Sequence, residues 1–191
     1  MSVNRGAVDL AEAGDAALAS AAALGDRAAF EVLVHRYGPV LYRYARRMLA
    51  NEHDVGDAVQ ETFVAAWRQI GNFRGGSSLK TWLFSICARK IVDTYRVKRA
   101  QPIDDMALNV IPATDSASDP FVSASSTEFL TALETALAEL PPRQRASWVL
   151  REIEEMTFPE IGDVLGLTPD TARGHHFRAT RTLRERLRRW R

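Results

Sequence analysis

Apolar residues recur at helical spacing through most of the first hundred positions. Asp26 is placed to cap a helix that begins in GDRAAFEVLVHRY. Gly38-Pro39 predicts a break in this helix, with a second apolar stripe after it. The two stripes consist of Phe30, Leu33, Val34 and Tyr37, then Leu41, Ala45, Met48 and Leu49.

Two further helices are predicted, from about Asp54 to Ile70 and from about Leu79 to Lys98. Between them, the glycines and serines of NFRGGSS (72–78) indicate a loop. The apolar stripe of the first of these helices consists of Val55, Val59, Thr62, Ala66 and Ile70, with Phe63 and Trp67 beside it.

The composition changes after position 100. From Gln101 to Glu128 there are five acids, three prolines and no lysine or arginine, which predicts a mobile acidic linker. Helical periodicity resumes in FLTALETALAEL, and no strand pattern is convincing anywhere. We therefore predict an all-α fold with two small helical domains joined by this linker. The predicted divisions are an N-terminal extension without an assigned role (1–24), a first domain (25–100), the linker (101–127) and a second domain (128–191).

The segment MTFPEIGDVLGLTPDTARGHHFRATRTL is typical of a helix-turn-helix. Thr157 and Glu160 have the spacing of a capping box at the start of a first helix. Gly166 supplies the turn, and Thr168 caps a second helix with Pro169 in its first turn.

The second helix of this motif has two different faces at 100° per residue. The face predicted to be buried consists of Ala172, His176, Ala179, Leu183, Leu187 and Trp190. The opposite face is basic and carries one aromatic ring; it consists of Gly174, Phe177, Arg178 and Arg181, with Arg173 and His175 at its flanks. A glycine in mid-helix costs about 1 kcal/mol relative to alanine, so Gly174 suggests close approach of a partner. The major groove of DNA admits such a helix.

Charge supports this interpretation. From Ala172 onward the chain has eight arginines and a single acid, Glu185, although its net charge is only +1. A solvated surface is the alternative, but the arginines follow a capped helix-turn-helix, which favours binding to a phosphate backbone. Adjacent side chains diverge by about 100° on a helix, so His175 and His176 are not expected to chelate a metal. His176 is expected to pack beneath the helix.

Several classes of protein are disfavoured by composition. No apolar run approaches the roughly 20 residues that span a bilayer, and the N-terminus lacks the pattern of a signal peptide. The single cysteine, Cys87, lies in an apolar helix and is expected to be a buried structural thiol. We expect a cytoplasmic protein that is not an enzyme and has no metal or other cofactor.

Two stretches resemble one family. DVGDAVQETFVAAWRQIGNFRGGSSLKTWLFSICARKIVDTYRVKR (54–99) resembles region 2 of bacterial extracytoplasmic-function (ECF) sigma factors. LAELPPRQRASWVLREIEEMTFPEIGDVLGLTPDTARGHHFRATRTLRERL (137–187) resembles their region 4. The resemblance implies a sigma factor that binds core RNA polymerase and directs initiation at specific promoters. The implied partners are the β′ clamp helices and β flap of the polymerase, promoter DNA and an anti-sigma factor.

The resemblance also implies site residues. Those for core polymerase are Asp57, Gln60 and Glu61, in a D-x-x-Q-E ridge. Those for the promoter −10 element are Phe73, Arg74, Gly75, Ser77, Ser78 and Arg89, with Trp82 in the core behind them. Those for the −35 element are Thr171, Arg173, Gly174, His175, Phe177, Arg178 and Arg181. A basic run is expected along the DNA backbone: Arg89, Lys90, Arg96, Lys98 and Arg99.

Three of these positions, and His176 beside them, depart from the usual family pattern. Arg89 stands where many members have asparagine, and Gly174 and His175 stand where serine and arginine are usual. His176 replaces an aliphatic residue. The competing hypothesis is a stand-alone helix-turn-helix regulator, which predicts a dimer on a palindromic site but leaves 54–99 unexplained.

Overall fold

The structure is a computed structural model that describes Leu10, residues 12–100 and residues 124–190, with side chains omitted at 98–100 and 124–126. All regular structure in this part of the chain is helical, so the predicted all-α fold is confirmed. The chain divides into two compact units. The first comprises Met1–Arg46 and Asn51–Arg96, and the second comprises Arg47–Ala50 and Val97–Arg191.

Of the helices of the first unit, the last two lie close to their predicted bounds, and the first was not predicted. The helices are α1 (Asp15–Ala23), α2 (Arg27–Met48), α3 (Glu52–Gln69) and α4 (Leu79–Ala100), with a 3-10 turn at Ile70–Asn72. Asp26 caps the start of α2, since its Oδ1 accepts a hydrogen bond from the amide of Ala29 at 3.2 Å. Thr62 is fully buried on α3 and donates its hydroxyl to the carbonyl of Ala58 at 2.6 Å.

The predicted break at Gly38-Pro39 is wrong. Helix α2 runs through Pro39 without interruption. The apolar residues on both sides of the proline belong to one continuous buried stripe, which includes Leu33, Leu41 and Tyr44. Pro39 itself is exposed, so water can reach the carbonyl that loses its helical partner. Burial of the stripe outweighs the local preference for a break.

The N-terminal extension contributes a helix to the first unit. Leu18 of α1 is completely buried, and Ala19 and Ala22 are nearly so. Asp15 accepts hydrogen bonds from Arg36 Nη1 at 2.5 Å and from the Tyr37 hydroxyl, both on α2. Burial and the bond to Asp15 raise the pKa of Tyr37, which keeps its hydroxyl protonated as the donor. Residues 15–23 are therefore part of a folded domain.

The second unit contains α5 (Ala124–Ala138), α6 (Pro142–Glu152), α7 (Phe158–Leu165) and α8 (Pro169–Arg186), followed by a 3-10 turn at Arg188–Trp190. Helix α5 begins inside the segment predicted as linker (101–127). The rest of that linker, residues 101–123, lies outside the described residues. Helices α6, α7 and α8 pack on one another around Val149, Leu150, Ile161 and Ala179.

Candidate nucleic-acid interface

The helix-turn-helix forms as its caps predict. The Thr157 side chain and Glu160 make a complete capping box at the start of α7. Gly166 ends α7 with φ 64°, a left-handed conformation that favours glycine. The Thr168 hydroxyl then accepts from the amide of Thr171 at 3.2 Å to cap α8.

Gly162 is a further glycine of this motif, for which the sequence predicted no role. A Cβ atom on Gly162 would lie 2.6 Å from the carbonyl oxygen of Leu167. The amide of Leu167 donates to the carbonyl of Gly162 at 2.9 Å, so the turn folds directly against α7. Only glycine allows the backbone to approach this closely. Gly162 thereby fixes the direction in which α8 leaves the turn.

The two faces of α8 follow the prediction as far as Leu183, whereas Leu187 and Trp190 lie beyond the end of α8 and are half-buried. Ala172, Ala179 and Leu183 are buried, whereas Phe177 is 66% exposed between the exposed Arg178 and Arg181. The outer face therefore offers an aromatic ring and guanidinium groups together.

The other residues predicted for the −35 element include three that precede this ring along α8. Arg173 Nη1 lies 2.7 Å from Asp170 Oδ1, and its guanidinium lies over the ring of Phe158 at 5.3 Å. Thr171 is exposed, and its hydroxyl is 2.8 Å from that of Thr168. A Cβ atom on Gly174 would lie 3.6 Å from Arg178 Nη1, which is an ordinary van der Waals distance. The outer face of α8 is therefore open at its centre.

The two adjacent histidines have different surroundings. His175 Nδ1 is 3.2 Å from Arg178 Nη2. Partial burial and the positive charges of Arg178 and Arg143 lower the pKa of His175, which favours the neutral form of this side chain. His176 points toward the protein, as expected, with Nε2 2.7 Å from Glu152 Oε1.

In the first unit, the predicted polar ridge lies on one exposed face of α3. Asp57, Gln60 and Glu61 are all exposed, and Val64 beside them is 44% exposed. Together with Lys90 they line a shallow cleft of about 540 Å³. The face therefore combines carboxylates, an amide and one exposed apolar side chain.

Lys90 belongs to the basic run predicted to lie along the DNA backbone, and it also joins two helices of the first unit. Its Nζ lies 3.0 Å from Glu61 Oε2, so it pairs α4 with α3. Arg96 likewise lies 3.7 Å from Asp93. The side chains of Lys98 and Arg99, the other members of the predicted basic run, lie outside the described residues.

The loop predicted for the −10 element precedes α4. Phe73 and Trp82 stack at a tilt, with ring centres 5.3 Å apart, and both are half-buried, so Trp82 is not wholly in the core. Arg74 and Gly75 are exposed, and Gly75 has φ 70°. The Ser78 hydroxyl accepts from the amide of Thr81 at 3.0 Å, which caps α4 and engages that oxygen.

The remaining polar side chains of this site contact other groups of the same chain. The Ser77 hydroxyl is 3.4 Å from the carbonyl oxygen of Ser78. Arg89 folds back along α4, donating from Nε to the carbonyl of Ser85 at 3.0 Å and from Nη2 to its hydroxyl at 3.1 Å. One turn earlier on the same face, Ser85 donates to the carbonyl of Trp82 at 2.7 Å. Trp82, Ser85 and Arg89 thus form one surface that continues from the loop.

Cys87 is completely buried in α4. Burial raises the pKa of its thiol to about 12, and a hydrogen bond with Thr62 opposes part of this shift. No described helix is both long and apolar enough to cross a membrane. Within the described ranges, no three His, Cys, Asp or Glu side chains are grouped as a metal site would require.

These features define a helical DNA-binding protein with a second domain that carries its own exposed polar surface. Family models agree. Sigma-70 region 2 matches residues 33–101, and sigma-70 region 4 matches residues 130–183.

Individual proteins with similar sequences were also found. RNA polymerase sigma factor CnrH of Cupriavidus metallidurans is 35% identical over 88% of this chain and 91% of its own length. ECF RNA polymerase sigma factor SigM of Mycobacterium tuberculosis is 30% identical over 88% of this chain and 82% of its own length. The solved structure of CnrH in complex with the cytosolic domain of CnrY has a TM-score of 0.67 at 34% identity, covering 91% of this chain and 96% of that one.

The chain belongs to the ECF sigma factors of the sigma-70 family. It is a DNA-binding transcription factor that works with RNA polymerase to direct initiation at promoters. The hypothesis of a stand-alone helix-turn-helix regulator is not favoured, because region 2 is present.

Proposed function

We propose that this sigma factor binds core polymerase through the α3 ridge of region 2 and reads promoters with both domains. Region 2 comprises residues 25–100 together with α1, and region 4 comprises residues 128–191 together with the start of α5 at Ala124. The observation that carries the proposal is the exposure of Asp57, Gln60 and Glu61 together on one face of α3. The ridge docks on the β′ clamp helices, while region 4 meets the β flap.

The −10 element is opened by the loop Phe73–Ser78 and the adjoining face of α4. Unstacked bases are captured on aromatic rings and by backbone or hydroxyl groups, so binding energy offsets the cost of strand opening. Phe73, Arg74, Gly75 and Ser77 contact the extruded base. Ser78 holds the start of α4, and Arg89 meets the base or its phosphate when it leaves Ser85.

The −35 element is read by the N-terminal half of α8. Arg173 and Arg178 contact base edges or phosphates in the major groove, and Phe177 packs against the apolar edge of a base. Thr171 and Arg181 contact the backbone. Gly174 lets the helix approach closely, and the neutral His175 supplies a ring nitrogen that accepts or donates a hydrogen bond.

An anti-sigma factor is a further partner. The related CnrH was solved with the cytosolic domain of CnrY. By analogy, a protein of the anti-sigma type binds this chain and withholds it from the polymerase. The chain performs no bond chemistry itself and acts in the cytoplasm, where RNA polymerase works.

Core binding tests the proposal most simply. A labelled chain is titrated with purified core polymerase, and Asp57→Ala, Gln60→Ala and Glu61→Ala are compared with the unsubstituted chain. We expect Asp57→Ala with Glu61→Ala to weaken binding by about tenfold or more, or at least 1.4 kcal/mol. Glu31→Ala removes an exposed acid from α2 and is the matched control, with unchanged affinity expected.

The pairing of Glu61 with Lys90 requires one more control. Glu61→Ala also releases Lys90, so a loss of binding could come from the freed cation. Lys90→Gln leaves Glu61 unpaired and is expected to retain core affinity. Equal affinity for the Asp57/Glu61 variant and the Glu31 control would contradict the assignment of the ridge.

A further inference from the structure

A row of arginines continues along α8 past the residues predicted to read the −35 element. Taking Phe177 as reference, Arg181 and Arg184 fall within about 40° of it on the helix. Arg188 follows the end of α8 and lines the same cleft of about 470 Å³ as Phe177, Arg181 and Arg184. All three arginines are exposed. We call Arg181, Arg184 and Arg188 the arginine stripe.

The arginine stripe differs from the other arginines at this end of the chain. Arg186 pairs with Glu139, and the guanidinium of Arg189 lies over the ring of Trp190 at 5.1 Å. The members of the stripe form no ion pair or hydrogen bond with another residue in the described ranges. Arg173 also lies about 40° from Phe177 but is paired with Asp170, so the arginines that stay available on this face are those that follow Phe177.

A favourable interaction with the helix dipole explains only part of this arrangement. Cations are stabilised near the C-terminal end of any helix, which accounts for basic residues in the last turn of α8. The dipole acts along the axis, however, and does not select one face. The effect of the dipole also falls off outside the last turn of α8, and Arg181 lies before that turn. The helix dipole therefore does not account for the alignment of the arginine stripe with Phe177.

We propose that the arginine stripe binds DNA phosphates flanking the −35 element. This inference rests on the proposed reading of −35 by α8. A helix that places Phe177 in the major groove leads its next turns toward the edge of the groove, where phosphates lie. Guanidinium groups bind phosphate oxygens in a bidentate manner. Arg184 and Arg188 lie beyond residue 183, where the region 4 family match ends. The proposal therefore adds these two residues to the DNA-binding surface assigned to α8 above.

One acid shares the cleft. Glu185 is exposed at its edge and is the only acid among the cleft residues that the structure describes. Its carboxylate repels phosphate, and Glu185→Gln is accordingly expected to tighten promoter binding.

Salt dependence provides the test. Holoenzyme is assembled from core polymerase and the full chain, and its affinity for a promoter duplex is measured from 50 to 200 mM salt. Each phosphate contact contributes about 0.9 to the slope of log K against log salt. The slope for Arg184→Gln/Arg188→Gln should therefore be smaller in magnitude by about 1.8. Between the two salt concentrations, its affinity should fall roughly 12-fold less than that of the unsubstituted chain.

Arg188→Gln and Arg189→Gln form a matched pair. They remove the same charge from adjacent residues, but Arg189 lines a different groove, together with Thr131 and Thr135 of α5. Only Arg188→Gln should reduce the slope. Equal slopes for the two variants, or an unchanged slope for the double variant, would overturn the proposal.

Two controls distinguish a failure of this proposal from a failure of the proposed reading of −35 by α8. Core affinity is titrated without DNA, and a loss there with an unchanged salt slope would assign the stripe to a protein surface instead. The unsubstituted holoenzyme is measured first. If it shows no −35-dependent binding, the proposed reading of −35 fails, and the inference fails with it. Normal binding with no effect of the stripe overturns the inference alone.

Discussion

His176 on the recognition helix α8 and Glu152 at the end of α6 are joined by a contact of 2.7 Å between Nε2 and Oε1. The His176 side chain is only 19% exposed, and its ring lies edge-on to Phe158 at 5.6 Å. Phe158 also lies under the guanidinium groups of Arg151 and Arg173. The recognition helix is therefore fixed by a polar contact where an aliphatic residue is usual in the family.

Replacing His176 tests this contact. We expect His176→Ala to lower the free energy of unfolding of region 4 by about 1 kcal/mol, the usual net value of a hydrogen bond. Thermal unfolding followed by circular dichroism measures this change. His53→Ala is the control, because His53 also lies near a carboxylate, Asp57 at 3.0 Å, but is 81% exposed. Equal losses for the two variants would show that the His176 contact has no special weight.

Gly162 makes a sharper prediction about the helix-turn-helix. Gly162→Ala places a methyl group 2.6 Å from a backbone oxygen and should cost about 1–3 kcal/mol of stability. Gly56→Ala on α3 meets no atom within 4 Å and should stabilise its helix by about 0.5–1 kcal/mol. Denaturant unfolding of both variants gives the comparison. Stabilisation by both substitutions would contradict the close packing of the turn against α7.

Gly174 separates folding from recognition. An alanine here meets only Arg178 at 3.6 Å, so Gly174→Ala should raise the stability of α8 by about 1 kcal/mol. The same methyl group occupies space that we assign to DNA and should weaken −35-dependent binding by the holoenzyme. Unfolding and promoter binding are measured on the same preparation. A rise in both would indicate that DNA does not approach this position.

The buried thiol of Cys87 is expected to make the stability of region 2 depend on pH in the alkaline range. Burial raises the folded pKa of the thiol to about 12, above the ordinary value of about 8.5 in an unfolded chain. The folded state therefore keeps a proton that the unfolded state releases. This stabilising contribution is complete below pH 8.5 and is lost as the pH rises toward 12.

The corresponding experiment follows alkylation at pH 8. The native thiol should resist iodoacetamide and become reactive only when region 2 unfolds, so the rate should track denaturant concentration. Cys87→Ala provides the blank and should show no labelling. Rapid modification of the native protein would contradict the burial of Cys87.

The sequence predicted those parts of the molecule that depend on local signals. The capping box of Thr157 and Glu160, the cap at Thr168 and the exposed ring of Phe177 all follow from residue type and spacing. The break at Pro39 was wrong because the helix is maintained by burial of residues on both sides of it. Local propensity does not contain that information.

Long-range contacts explain most of what could not be predicted. Helix α1 is rich in alanine, and its docking depends on Asp15 meeting Arg36 and Tyr37, more than twenty positions away. The pairing of Lys90 with Glu61 joins two helices, so the charge pattern of α4 alone could not indicate it. The close packing at Gly162, where a Cβ atom would lie 2.6 Å from the carbonyl oxygen of Leu167, arises only once the turn has folded.

Transcription by purified core polymerase, with and without this protein, tests the central claim most directly. The templates are upstream regions of the source genome, and start sites are mapped for the unsubstituted chain and for the Asp57→Ala/Glu61→Ala variant. We predict specific transcripts that require the protein, share common −10 and −35 elements and disappear with the double variant. Transcripts that are the same with and without the protein, together with no binding to core, would contradict the account.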